Sequence, residues 1–169
     1  MSPDHDSAPV SRRVGAMTVT LKSNLEVEFT RVFDGPRRLV FEAHARPEHV
    51  GRWWGPRGST MTTCELDFRP GGRWRFVIRT ADGRQVAFHG EYREIVAPER
   101  FVWTFGFEEM EGGLETHRFE EADGKTTLTA VGHFDSIESR DAAIRSGMEK
   151  GAAETWDRLE ELLRTQVGS

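Results

Sequence analysis

The stretch at residues 135–163 constrains the fold most, because it has the pattern of one long amphipathic helix. Its apolar residues recur at spacings of three, four and seven, which is the repeat of a single helix face. They are Ile137, Ile144, Met148, Ala152, Trp156, Leu159 and Leu163. Ser136 stands just before the pattern, where an N-cap residue is expected. A helix with one apolar stripe must bury it against another element, so the chain is expected to provide a sheet for this helix.

Two glycines interrupt the predicted helix, and each costs about 1 kcal/mol relative to alanine in a helix interior. Gly147 and Gly151 are four residues apart, so they lie on one side of the helix. A missing side chain either lets another backbone approach closely or leaves a hollow. The spacing therefore indicates close packing or a ligand pocket on this side of the helix.

The composition is that of one globular domain. The chain has 169 residues, of which 37% are hydrophobic and 30% charged, so it can bury a core and does not resemble a disordered chain. A formal net charge of -5 argues against a general nucleic-acid surface. No apolar run is long enough to span a membrane, and the N-terminal residues lack the apolar core that is typical of a secretory signal. We therefore predict a cytoplasmic protein that does not insert into membranes.

The domain organisation follows from the order of the patterns. Residues 1–22 show no sustained period and are predicted to form a flexible N-terminal tail, in which Met1 or Met17 is the start. Residues 23–165 are predicted to form a single domain, and residues 166–169 a short tail. Within the domain, a strand at 25–33 precedes two short helices at 36–44 and 47–54.

Antiparallel strands occupy most of the remaining chain. Strands are predicted at 61–68, 72–80, 85–96, 100–107, 113–121 and 125–134. Turn signals such as Asp82-Gly83 and Asp123-Gly124 separate them, which favours hairpins over alternating βαβ units. The prediction is an α+β domain in which a curved antiparallel sheet of about six or seven strands wraps round the long C-terminal helix.

Six short motifs resemble a known family. They are WWGP (53–56), RPGGRWRF (69–76), GEYREIVAPER (90–100), FDS (134–136), RD (140–141) and GMEKG (147–151). Together they resemble the bacterial branch related to activators of the heat-shock protein ATPase, within the START-like (SRPBCC, polyketide-cyclase) superfamily. The resemblance covers residues 25–163 and implies a helix-grip fold, with a cavity for apolar small molecules between sheet and helix. It carries over no catalytic residue.

Strand alternation then selects the residues that would line such a cavity. Trp74, Phe76 and Ile78 share one strand face and leave Arg73, Arg75 and Arg79 on the other. The lining set that we predict is Trp54, Trp74, Phe76, Ile78, Phe88, Tyr92, Trp103, Phe105, His117, Gly147, Met148 and Gly151. Aromatic walls with a few polar groups are typical of a small-molecule pocket. The polar candidates are Tyr92, His117 and Arg118.

The sequence contains no pattern for metal binding, so neither a metal nor another cofactor is predicted. No two of the six histidines are spaced i, i+4 in one helix with a helping glutamate. His117 and His133 fall in neighbouring predicted strands, so their side chains could lie close together. Cys64 is expected to be a small buried residue, because nothing nearby offers a base.

Three functions stay open at this point. The first is non-enzymatic binding of a hydrophobic, possibly aromatic small molecule. The second is a polyketide cyclase, aromatase or hydrolase that uses the same cavity, with Tyr92 or His117 as acid or base. The third is a chaperone ATPase activator. The eukaryotic activators also use a separate N-terminal domain, which the segment 1–22 is too short to form. A homodimer is compatible with the fold.

Overall fold

The computed structural model describes residues 10–110 and 112–167. Ten strands and four helices occupy these residues. In chain order they are β1 (Val10–Val14), β2 (Met17–Ser23), β3 (Glu26–Phe33), α1 (Arg37–Glu42), α2 (Pro47–Trp53), β4 (Thr60–Leu66), β5 (Arg73–Arg79), β6 (Gln85–Val96), β7 (Arg100–Thr104), β8 (Gly106–Phe107), β9 (Leu114–Ala122), β10 (Lys125–His133), α3 (Ile137–Arg145) and α4 (Met148–Val167).

The strands form one antiparallel sheet in the order β1-β2-β3-β10-β9-β7-β6-β5-β4, with β8 paired to β6. Register shifts in the β2–β3, β4–β5 and β6–β7 pairings interrupt the ladder. Such bulges bend a strand and increase its twist, which helps the sheet to curve. The curved sheet and the C-terminal helix confirm the predicted α+β helix-grip architecture, although the number of strands is higher than expected.

The extra strands come from the N-terminal segment. The prediction of a flexible tail through residue 22 is wrong for residues 10–22, since these form β1 and most of β2. Met17 and Val19 point into the core with at most 1% of their surface exposed. The missed signal is the alternation of Met17, Val19 and Leu21 with polar residues, which is a strand pattern. Residues 1–9 of the predicted tail lie outside the described residues.

The C-terminal stretch forms two helices, so the prediction of one continuous helix is wrong. Gly147 has a φ of +88°, a left-handed conformation that ends α3 and that a residue with a Cβ rarely adopts. α4 then starts at Met148 and continues through Val167, beyond the predicted end of the domain. The predicted cap is confirmed, since the Ser136 hydroxyl accepts a hydrogen bond from the Ser139 N–H at 3.0 Å.

Helix α4 packs on the sheet through the apolar stripe that the sequence indicated. Trp156 makes edge-on contacts with the rings of Phe29 and Phe33 on β3, with centroids 6.4 Å and 5.8 Å away. Leu159 and Leu163 are fully buried below it. Within residues 10–110 and 112–167, none of the four helices has the length and hydrophobicity of a membrane span.

Arginine 158 of α4 fixes the loop that follows α2. Its guanidinium donates to the carbonyl oxygens of Gly55, Pro56 and Arg52 at 2.9, 3.3 and 3.2 Å. These contacts hold the end of α2 against α4. The neighbouring Trp54 is thereby placed at the edge of the inner face of the sheet.

Candidate functional site

The inner face of the sheet is aromatic where the sequence predicted it to be. On β5, Trp74, Phe76 and Ile78 each expose at most 2% of their surface. Arg73, Arg75 and Arg79, which alternate with them, are exposed. The prediction of aromatic residues inside and arginines outside is therefore confirmed for this strand.

Rings from β5, β6, β7 and the segments that follow α2 and β7 meet at one end of this face. The Trp54 ring lies 5.1 Å from Phe76, 4.7 Å from Phe88 and 6.4 Å from Phe105, measured between centroids. Trp74 stacks on Trp103 with centroids 4.2 Å apart. Contacts at these distances are favourable aromatic pairs, so the rings occupy much of the space in front of the sheet.

Tyr92 lies deeper in the same interior. Its ring is fully buried and contacts Phe68 and Phe101 at centroid distances of 5.0 Å and 6.1 Å. Its hydroxyl oxygen has no hydrogen-bond partner among the described residues. Burial raises the pKa of Tyr92 well above its ordinary value, so the side chain is a neutral phenol.

The inner face also carries a carboxylate, Glu115 of β9. Its Oε1 atom accepts hydrogen bonds from Trp103 Nε1 and His117 Nε2, both at 2.7 Å. Burial raises the pKa of Glu115, but the hydrogen bonds from His117 and Trp103 outweigh burial and hold the pKa below its ordinary value. Glu115 is therefore ionised at neutral pH, with 24% of its side chain exposed.

A second histidine, His44, lies next to His117 in the core. The His44 ring lies 6.1 Å from the His117 ring, and its Nδ1 atom is 2.9 Å from the Val40 carbonyl oxygen. Burial, together with the nearby His117, lowers the pKa of His44 to about 3. His44 Nε2 and His117 Nδ1 are both buried without a hydrogen-bond partner in the described part of the chain. His44 is thus a neutral polar group in the core.

Glu115 and His44 were not among the residues predicted for the site. Glu115 precedes His117 by two positions in one strand, so strand alternation was sufficient to place both on the same face. His44 follows Val40 by four positions in the helical pattern, the spacing of one helix face. In both cases the spacing indicated the shared face, but neither residue belongs to a motif that indicates a function.

His117 and His133 lie in neighbouring strands, but their side chains do not meet. The register of β9 and β10 places Ala130 opposite His117. The exposed His133 instead contacts Glu26, with Nδ1 and Oε2 3.0 Å apart. Arg118, expected as a polar group of the cavity, is exposed on the outer face, because it alternates with His117.

No other backbone in the described part of the chain packs closely against Gly147 or Gly151. A Cβ added to either glycine would meet no heavy atom of the described residues within 4 Å beyond its own chain neighbours and helix backbone. The close-packing interpretation is therefore wrong. Gly147 is exposed and Gly151 half-buried, while Met148 between them packs against the core.

Two open grooves lie on the outer face of the sheet. One, of about 640 Å³, includes Arg73, Arg75 and Arg93, and the other, of about 320 Å³, includes Arg118 and Glu120. Both mix positive and negative side chains. Within residues 10–110 and 112–167, no three His, Cys, Asp or Glu residues are grouped closely enough to hold a metal ion.

A family model described as "Activator of Hsp90 ATPase homolog 1-like protein" matches residues 34–164. The match spans more than half of the chain. The protein belongs to this family. The earlier resemblance is therefore confirmed over most of the segment in which the motifs occur. A comparison with curated proteins found no match.

Solved structures agree with the family assignment. A protein from Staphylococcus epidermidis is 30% identical, with a TM-score of 0.73, and the match covers 86% of this chain and 93% of that protein. A protein from Rhodobacter sphaeroides is 26% identical, with a TM-score of 0.81 and coverage of 88% and 98%. A protein from Nitrosomonas europaea, at 22% identity and a TM-score of 0.79, covers 88% of this chain with its whole length and shares the fold.

For this family member, the fold supports a ligand-binding domain in general. The chaperone-activator alternative is not favoured.

Proposed function

We propose that this protein binds an aromatic small molecule on the inner face of the sheet, beneath α3 and α4. The observation that carries the proposal is a group of three buried polar atoms on this face that have no hydrogen-bond partner among the described residues, namely Tyr92 Oη, His44 Nε2 and His117 Nδ1. All three side chains are more than nine-tenths buried among aromatic rings. A buried polar atom without a hydrogen bond costs about 1–3 kcal/mol, so it needs a compensating role.

A ligand supplies that role by giving these atoms hydrogen-bond partners. Aromatic surfaces bury an apolar body, and a few polar groups fix its orientation. The predicted lining residues Trp54, Trp74, Phe76, Ile78, Phe88, Tyr92, Trp103, Phe105 and His117 supply the surface for this body. Met148, Gly147 and Gly151 belong to the helical side of the proposed site.

Native mass spectrometry of the protein purified from its own host tests the proposal. We expect a defined small molecule that survives transfer to the gas phase and is released on denaturation. As a second test, 1-naphthalenemethanol is titrated into ligand-free protein and followed by tryptophan fluorescence, since Trp54, Trp74 and Trp103 share this face. Absence of a retained molecule together with absence of saturable naphthalenemethanol binding would refute ligand binding.

A second candidate function is hydrolysis in the same site, favoured by the contact between Glu115 and His117. A carboxylate that holds one ring nitrogen leaves the other free as a general base, here Nδ1. The test is hydrolysis of 1-naphthyl acetate by wild type and by His117→Gln. A rate in wild type above that of buffer, lost in the variant, would support catalysis. Wild type at the buffer rate would exclude this esterase reaction.

A further inference from the structure

One of the two carboxylate oxygens of Glu115 takes no part in the hydrogen bonds of the inner face. Both donors, Trp103 Nε1 and His117 Nε2, use Oε1. Oε2 accepts no hydrogen bond and meets no Lys or Arg side chain within ion-pair distance among the described residues. The Glu115 side chain keeps 24% of its surface exposed, so this oxygen is accessible to a ligand that carries a hydrogen-bond donor.

His117 leaves this second oxygen unpaired. Its Nε2 atom lies 2.7 Å from Glu115 Oε1, and its buried Nδ1 atom has no hydrogen-bond partner among the described residues. The pKa of Glu115 lies below its ordinary value, so the carboxylate is ionised at neutral pH. Oε2 therefore remains open to a hydrogen-bond donor.

Space for a methyl group lies next to Oε2. Gly132 of β10 is paired with Glu115 of β9 and faces the same side of the sheet. A Cβ placed on Gly132 would lie 3.8 Å from Phe134 Cε2 and 4.0 Å from both Glu115 Oε2 and the Val27 carbonyl oxygen, with no closer heavy atom among the described residues outside its chain neighbours. The absent Cβ thus leaves a niche bordered by a carboxylate oxygen, a carbonyl oxygen and an aromatic ring. Its φ is not in the left-handed region, so backbone conformation does not require glycine here.

We propose that the niche beside Gly132 takes the ammonium group of an aromatic amine, with Glu115 Oε2 as its counter-ion. A cation gains from two of these borders, since carboxylates and aromatic rings each attract positive charge. The aromatic part of the same ligand lies against the rings that surround Trp103. This inference rests on the proposed function and adds the chemical class of the ligand.

A matched pair of probes separates the two proposals. 1-Naphthylmethylamine and 1-naphthalenemethanol share the ring system and differ in charge. For wild type we expect the amine to bind at least about tenfold more tightly than the alcohol, because its hydrogen bond to the carboxylate is charge-assisted. Equal binding of the two probes would overturn the amine proposal and leave aromatic binding intact. Failure of both to bind would overturn both proposals.

Two variants test the residues that form the niche. Glu115→Gln keeps an acceptor for Trp103 and His117 but removes the charge, so the preference for the amine should disappear while alcohol binding stays. Gly132→Ala fills the niche at ordinary contact distances, so the folded protein should also lose the preference. The control is Glu120→Gln, which makes the same charge change on the outer face of β9. An amine preference retained by Glu115→Gln, or lost equally in Glu120→Gln, would contradict the role of the niche.

Discussion

The indole of Trp74 on β5 reaches across β6 and stacks on the indole of Trp103 on β7, with the ring planes 22° apart. Its Nε1 donates to the Thr104 carbonyl oxygen at 3.2 Å. Gly90, the β6 residue paired with Trp74, makes this contact possible. A Cβ there would lie 2.6 Å from Trp74 Nε1 and would collide with the Thr104 carbonyl oxygen.

The first prediction concerns this glycine. Gly90→Ala should lower the free energy of unfolding by at least about 2 kcal/mol, since the added methyl group forces the indole and the β7 backbone to move. Urea denaturation followed by tryptophan fluorescence measures the change. Gly132→Ala on the same face is the control, because its Cβ meets only ordinary contacts, and we expect its effect to be much smaller. Equal destabilisation by the two variants would contradict this explanation.

The second prediction concerns the buried arginine that joins β3 to α4. Arg31 Nη1 lies 2.6 Å from Asp157 Oδ1, and its Nη2 lies 4.0 Å from Oε1 of the buried Glu160. Arg31→Met should destabilise the protein by about 3 kcal/mol, because it leaves a buried carboxylate without this partner. Thermal or urea denaturation measures the loss.

A matched control exists for this arginine on the surface. Arg57 pairs with Glu161, and both side chains are at least half exposed. Arg57→Met should therefore destabilise the protein much less than Arg31→Met does. If the two substitutions had similar effects, burial would not be the reason for the importance of Arg31.

The third prediction is a pH dependence of stability caused by His44. Its pKa is about 3 in the folded protein against 6.5 as the ordinary value, so between these values the unfolded chain binds the extra proton. Stability from this group is complete above pH 6.5 and falls as the pH is lowered towards 3, by about 1.4 kcal/mol per pH unit. His44→Phe removes the titrating group, so its stability should fall less steeply in acid.

Urea denaturation at a series of pH values from neutral to about 5 measures this difference, since wild type should lose about 2 kcal/mol more than the variant over that range. Subtracting the stability curve of the variant from that of wild type removes the contributions of the carboxylates and of the other histidines. Parallel curves for the two proteins would mean that His44 is protonated as readily in the folded protein as in the unfolded chain. That result would refute the lowered pKa of His44.

The fourth prediction concerns Cys64 of β4, the single cysteine of the chain. Burial raises the pKa of its thiol to about 11, and the Sγ atom lies 3.6 Å from the Pro47 carbonyl oxygen. At pH 8 its thiolate fraction should be at least about 100-fold lower than that of a free cysteine, so alkylation is slow. Iodoacetamide labelling in native buffer and in urea measures this, and rapid labelling of the folded protein would contradict it.

Much of the sheet was predictable because strand alternation is a local property. The 85–96 strand has the predicted bounds, and the inward residues Trp74, Phe76 and Ile78 follow from the two-residue period. The N-terminal strands were missed, although Met17 and Val19 alternate with threonines in the same way. The polar residues that precede them, including Ser11 and Arg12, made the strand pattern hard to detect. The hairpin of β1 and β2 is stabilised because β2 pairs with β3.

The candidate site was only partly predictable, because its geometry depends on contacts between distant strands. Strand alternation predicts that Glu115 and His117 share one face. It does not predict that the indole of Trp103, from another strand, lies beside them. The helix pattern likewise did not reveal the break at Gly147, since apolar spacing continues through a residue whose φ is positive.

The antiparallel strands, the inward and outward faces and the family could be inferred along the chain, because they depend on periodicity and motifs. The neighbours across the sheet were fixed only when the chain folded. Folding placed His44 beside His117, left Oε2 of Glu115 without a donor among the described residues and opened the niche at Gly132. The physical reason is that register and packing are set by the burial of the whole core, and a one-dimensional pattern contains no distances between its strands.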